Sequence, residues 1–373
     1  MLPRFPCPHG RRTIFLRKRR QMCDNAGMHA EAKNLQAALS PSPAESADRA
    51  GSTTSTTPAP SGSGANERVV RLLTVGNSFA DDATFFLAKL ARSAGGRLVM
   101  LGCNLGGHSF EQHAGYMAAY EKDAEDPAGT PYRDRIHPVT GATTHFSLRA
   151  GLEADAWDYV TVQQNSIQSF RPETYEPWAT EVLAYIRKHA PQAEILVHET
   201  IAYREDSPLF AASDTFTQAA MYNRLRAGYA ALAARNGLRV IPVATSYQTA
   251  RATPEWTFTR DPAFDYDKPV YPALPDQSKS LNIGYKWDAP APLSGGKPTF
   301  GHDPNHSNDF GKYLGACTFY EVLWRDDVRR CTFHPPTITA GQADHLREIA
   351  HQAVASRADV ALSPATPAGV ATA

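Results

Sequence analysis

The sequence predicts an α/β fold: a parallel sheet of about five strands with helices on both faces. Two observations carry this. Apolar runs of strand length, each ending in glycine or polar residues, recur along the chain, and segments with helical apolar spacing separate them. Strand–helix alternation of that kind is satisfied by a parallel sheet covered on both sides. No internal repeat points to another architecture.

The elements follow in order. "VVRLLTV" (69–75) is a β-branched and leucine run stopped by Gly76, as expected of a buried strand. Helical spacing then links Phe86, Leu87, Leu90 and Ala94. "RLVMLGCN" and "DYVTVQQNS" read as the second and third strands. A helix follows with Tyr175, Trp178, Val182 and Ile186 on one face. "EILVHETIA" is a fourth strand, 214–235 a helix striped by Met221, Leu225 and Leu232, and "LRVIPVA" a fifth strand. A last helix near 309–324 aligns Tyr313, Cys317, Tyr320 and Trp324. Two stretches, 123–145 and 248–300, break the pattern and read as irregular insertions.

The ends of the chain read differently. "HGRRTIFLRKRRQ" is basic, and "SPSPAESADRAGSTTSTTPAPSGSGA" cannot bury a core. Residues 1–66 are therefore expected to be a disordered arm or linker, or to precede the true start. The folded domain is expected over 67–358, with a frayed tail over 359–373. Arg11-Arg12 hints at an export signal, but charge follows instead of an apolar core, so no signal peptide is assigned and the compartment stays open. No stretch approaches the roughly 18 apolar residues that a membrane span needs.

Composition excludes several function classes. With 38 basic and 38 acidic residues the formal charge is balanced, which argues against nucleic acid or an anionic membrane as partner. The cysteines Cys7, Cys23, Cys103, Cys317 and Cys331 are scattered and form no CxxC pair, so they read as free thiols, neither zinc site nor disulfide framework.

Ligands of parallel α/β sheets bind outside the carboxyl ends of the strands. Those tips are polar here: Gly76-Asn77-Ser78, Cys103-Asn104, Gln163-Gln164-Asn165-Ser166 and His198-Glu199-Thr200. Ser78, at a strand-to-helix turn, is either a helix cap or a nucleophile. In "GHDPNHSNDF", Asp303 stands three residues before His306, so its carboxylate can hold Nδ1–H and leave Nε2 as a base. The same stretch also reads as a structural turn, or as metal ligands His302, Asp303 and His306 lacking visible companions. "NLGGHSF" and "QQNS" offer backbone and amide donors for an oxyanion. The Tyr-, Trp- and amide-rich 248–300 stretch suits contact with sugars or, equally, a surface elaboration without ligand.

This order of residues resembles the SGNH (GDSL-like) hydrolase superfamily, over about residues 70–325. "GNSF" looks like the first block of an uncharacterised subgroup, with Asn77 in place of the commoner Asp. The resemblance implies a flavodoxin-like α/β/α sandwich. It implies Ser78 as nucleophile and oxyanion N–H donor, Gly107 as a second donor (Gly106 is the adjacent alternative), Asp303 as orienting acid and His306 as base. The third block departs from the usual Gly-x-Asn-Asp. Direct alignment makes Asn165 the amide donor, whereas relatives with a Gln-Gly-Glu-Ser version make it Gln163, and both stay open. The expected function is a serine esterase acting on acyl, foremost acetyl, esters of carbohydrate, with no metal or other cofactor. The partner is then a small-molecule or saccharide acyl ester. Alternatives are a small-molecule or lipid esterase, an acyltransferase using the same residues, and a non-catalytic glycan binder.

Overall fold

The computed structural model describes residues 67–136, 143–290 and 295–360. The expected arm over 1–66 and residues 361–373 lie outside the described residues.

Five strands form a parallel sheet in the order β2-β1-β5-β6-β7: β1 (Arg68–Gly76), β2 (Gly96–Asn104), β5 (Tyr159–Val162), β6 (Glu194–His198) and β7 (Arg239–Ile241). Two antiparallel pairs stand apart from it, β3 (Tyr132–Ile136) with β4 (Thr143–Phe146), and β8 (Asn282–Asp288) with β9 (Thr299–Ser307). Helices α1 (Ser78–Thr84), α2 (Leu87–Ser93), α3 (Phe110–Lys122), α4 (Leu148–Glu153), α5 (Trp178–His189), α6 (Gln218–Asn236), α7 (Val243–Arg251), α8 (Asp309–Trp324) and α9 (Ala340–Ala355) complete the chain. The strand order is flavodoxin-like, with a switch point at β1, whose neighbours β2 and β5 lead away in opposite directions. Ser78 follows β1 directly, so it emerges at that crevice.

The central strands are mostly apolar because the sheet is covered on both faces. All four residues of β5 are buried, as are the last five of β1, and Leu72, Leu73, Val160, Val162, Leu196 and Val197 form the middle of the core. The α3 start is specified locally: the Ser109 side chain accepts from Gln112 N–H while the Gln112 side chain accepts from Ser109 N–H, a capping box.

Several expectations are corrected. The 309–324 helix is not the last, because α9 covers it, and α8 is buried all round, not along one stripe. The 248–300 stretch holds the end of α7 and all of β8, and 123–145 holds β3 and part of β4. These strands form two-stranded hairpins outside the main sheet and carry no apolar run of their own, which is why sequence spacing does not show them. The fold also continues past residue 358: Asp359 O accepts from Val240 N–H, and Val360 is buried. Cys103, Cys317 and Cys331 are free and buried, while Cys7 and Cys23 lie outside the described residues. Among the described residues no helix is long and apolar enough to cross a membrane.

Helix α8 fits against the β8 side with no room to spare. A Cβ at Gly311 would lie 2.1 Å from Tyr247 Oη and 2.3 Å from Leu281 O. The absent side chain lets the segment after β9 approach the core closely, which positions the residues just before it.

Candidate active site

Ser78 is the first residue of α1, so its N–H has no intrahelical acceptor. Its hydroxyl is partly exposed and lies 2.9 Å from His306 Nε2. His306 Nδ1 lies 2.9 Å from Asp303 Oδ2 and 3.1 Å from Oδ1. The Asp303 carboxylate also accepts from the backbone N–H of Asn305 and of His306. Two positions 228 residues apart therefore meet, and an acid–imidazole–hydroxyl chain runs from β9 to the tip of β1.

Electrostatics match that geometry. Burial would lift the Asp303 carboxyl, but the hydrogen bond and charge of His306 outweigh it and hold it at about 2. Burial would likewise lower His306, yet Asp303, aided by Asp82, raises it above its ordinary value. An Nδ1–H donated to an ionised Asp303 leaves Nε2 able to accept the Ser78 proton.

Asn77 holds the turn from behind. It is buried, and its amide is used at both ends. Oδ1 accepts from Phe79 N–H (3.2 Å) and Gln163 Nε2 (2.7 Å), while Nδ2 donates to His108 O (3.0 Å) and Gln164 O (3.3 Å). The tips of β1, β2 and β5 are tied together at this one side chain. An aspartate could not donate to the two carbonyls, which accounts for asparagine here. The substitution in "GNSF" was the visible signal; its reason is tertiary.

The two amide candidates separate. Gln163 is buried, with Nε2 given to Asn77 and Oε1 accepting from His198 Nδ1. Its amide is turned to partners inside the protein, at 1% exposure. Asn165 is only partly buried, and its Nδ2 donates to Gly107 O; the second Nδ2 hydrogen remains. Gly107 adopts φ +72°, a backbone state that favours glycine, whereas Gly106 is not in that region. Asp82 was not anticipated: it accepts from Ser307 N–H (2.8 Å) and lies 3.8 Å from Lys312 Nζ, binding α1 to the end of β9. Its place four residues after Ser78, on the same helical face, was the available clue.

His302, Asp303 and His306 do not converge on a metal position. His302 Nε2 faces Asp206 and Arg204, whereas Asp303 turns to His306. Among the described residues, Glu321, Asp327 and His351 have ligand atoms within 4.8 Å of one another. They already serve one another and their neighbours: Glu321 binds His351 Nδ1 and Val328 N–H, and Asp327 pairs with Arg329. Glu321 lies twelve residues into α8, about 18 Å from the helix start beside His306.

Comparison with known proteins places the chain and its fold. The family described as Domain of unknown function (DUF4886) matches residues 71–273, which include Ser78, Gly107 and Asn165 and stop short of Asp303 and His306. The crystal structure of a DUF4886 family protein from Bacteroides uniformis is 22% identical, with 77% of this chain and 95% of that chain covered and a TM-score of 0.57, and shares the fold. Looser likeness extends to a Slackia heliotrinireducens protein provisionally described as an SGNH hydrolase (18% identity, 68% and 98% covered, TM-score 0.39). It extends also to an aryl esterase of M. smegmatis (13% identity, 46% and 82% covered, TM-score 0.29). No curated protein matches the chain.

The electrostatics carry a direct prediction. NMR of the imidazole nitrogens should show His306 titrating above its ordinary value of 6.5. In Asp303→Asn it titrates lower than in the wild type, because burial remains and the main counter-charge is gone. An unmoved titration would refute the pairing.

Proposed function

The chain belongs to the DUF4886 family, and we propose that it is a serine esterase. The observation that carries this reading is the unbroken chain Ser78 Oγ–His306 Nε2, His306 Nδ1–Asp303, with hydrogen-bond separations of 2.9 Å at both links. A serine that merely caps a helix needs no imidazole, and an imidazole that merely fills space needs no carboxylate. The order of these residues also resembles that of the SGNH hydrolases.

In the proposed mechanism His306 takes the Ser78 proton as Oγ attacks the acyl carbon. Asp303 keeps Nδ1 protonated and stabilises the imidazolium that forms. Negative charge develops on the carbonyl oxygen, where the N–H groups of Ser78 and Gly107 and the second Asn165 hydrogen are the proposed donors. His306 returns the proton to the leaving alcohol, then activates water, which releases the acid and frees Ser78.

The acyl group is proposed to be short, acetyl foremost, and the alcohol a saccharide. Most aromatic rings of the 248–300 stretch are occupied with one another: Tyr285 stacks on both Phe300 and His302, and Phe264 stacks on Phe300. Tyr271, however, is 59% exposed and meets Trp287 edge-on at 5.5 Å. Trp287 pairs with Phe300, six residues before His306 on β9. An extended substrate reaches both places; a small ester does not.

Ser78→Ala should lower hydrolysis of p-nitrophenyl acetate by on the order of 10⁶-fold and abolish labelling by a fluorophosphonate, with the melting temperature retained. Full turnover in that variant would sink the reading. The acidic limb of kcat/KM should lie above pH 6.5, since His306 must be neutral to act and its folded value is raised.

Asn165→Ala should cost about 10²–10³ in kcat with stability kept. Gln163→Ala instead should cost about 1–3 kcal/mol of stability, because it strands His198 Nδ1 and leaves Asn77 Oδ1 with Phe79 N–H alone; urea unfolding separates the two effects. Trp287→Ala should reduce acetate release from an O-acetylated polysaccharide and leave p-nitrophenyl acetate turnover unchanged. Equal loss on both substrates would remove the case for an extended saccharide.

A further inference from the structure

Asp303 and His306 are not on the five-stranded sheet. They ride on β9, in a hairpin whose strands pair only with each other among the described residues. Strand pairing makes the hairpin but does not set where it sits against the Ser78 turn. That requires contacts made across to the sheet layer.

Arg204, six residues after β6, makes them. It is 1% exposed. Its backbone N–H donates to Pro304 O (2.9 Å), between Asp303 and His306 in sequence. Its guanidinium grips Asp206 through two bonds (2.7 and 2.8 Å) and donates to Gln277 Oε1 (2.9 Å) and Ser280 Oγ (3.2 Å). It also meets His302 Nε2 at 3.3 Å. The cation lies over the Phe258 ring at 3.9 Å and faces Tyr285 at 5.5 Å, and Tyr285 stacks on His302 at 4.1 Å. The hairpin leaves space for it: a Cβ at Gly284 would lie 2.1 Å from Arg204 Nη1.

A buried guanidinium costs several kcal/mol of desolvation, and apolar packing would hold a surface hairpin at less expense. What a charge in a fixed planar fork adds is direction, through donors that accept only one arrangement of their partners. Here the partners are Asp206 on its own segment, Gln277 and Ser280 ahead of β8, and His302 on β9. We infer that Arg204, counter-charged by Asp206, is a positioning latch that sets the acid–base hairpin at hydrogen-bonding distance from the nucleophile turn. It touches no reacting atom and acts through Asp303 and His306. The inference rests on the esterase reading for its catalytic consequence, but not for its structural one.

The test uses the full chain with Arg204→Lys, which keeps the charge and loses the fork, and Gln277→Ala, which removes one partner. The groups that face His306 (Asp303 on its own strand, Asp82 from α1 and Lys312 from α8) stay in place in both. Arg204→Lys should lower kcat on p-nitrophenyl acetate roughly 10- to 100-fold with KM little changed. The acidic limb of the rate profile and the NMR titration of His306 should both move to lower pH as the Asp303 contact loosens. Gln277→Ala should shift all three in the same direction by less, and decides the matter if Arg204→Lys does not fold. Folded variants with wild-type kcat and an unmoved His306 titration overturn the latch, as does a rate loss that follows melting temperature alone. If the wild type hydrolyses no ester, the esterase reading fails, and the His306 titration, which needs no turnover, still decides the latch.

Discussion

Three strand tips converge behind Ser78, and two of them bring backbone carbonyls, the part-buried His108 O and the buried Gln164 O, against the buried Asn77. The Asn77 amide answers both and uses its own oxygen to take Phe79 N–H and Gln163 Nε2. Buried carbonyls without donors are costly, and one neutral side chain with two donors and two acceptor positions removes that cost. The remainder of the site depends on this closure. It brings the β2 and β5 loops, which carry Gly107 and Asn165, against the Ser78 turn.

The site is assembled from two frameworks with different sources of rigidity. Ser78, Gly107 and Asn165 stand on a parallel sheet whose register is set by apolar burial on both faces. Asp303 and His306 stand on a hairpin held by polar contacts: Asp82 to Ser307 N–H, Arg204 to Pro304 O, and the close approach of Gly311 to Tyr247 and Leu281. Apolar packing specifies which layer meets which and tolerates small slides. Hydrogen bonds to fixed backbone groups do not, and a proton relay requires the second kind of accuracy.

The same division of labour closes the fold. Glu199, at the end of β6, is wholly buried and is matched by Arg357 from the segment after α9, with Thr245 completing both. Burial pushes the Glu199 carboxyl up, and the facing guanidinium opposes that rise. Like Arg204, this charge carries a chain segment to one defined place on the sheet.

The sequence alone determined what is local. Strand-length apolar runs and helical spacing announced the layers, since burial on both faces of a sheet leaves its mark within a few residues. The polar tips singled out Ser78, and the three-residue spacing singled out Asp303 with His306, because those patterns are short. Tertiary structure decided whatever depends on the phase and pairing of distant segments. "GHDPNH", with its glycine and proline, does not read as a strand until β8 lies beside it. Gln163 and Asn165 differ by two positions, and only the surroundings at the end of β5 show that the first is spent on Asn77 and His198 while the second turns to Gly107. Arg204 in "AYRED" reads as a solvated loop charge, and its burial follows from partners 73 to 98 residues further on. The aromatics of 248–300 read as open contacts until they are seen stacked on one another. Composition records which side chains are available; which of them remain unoccupied is a property of the folded neighbourhood.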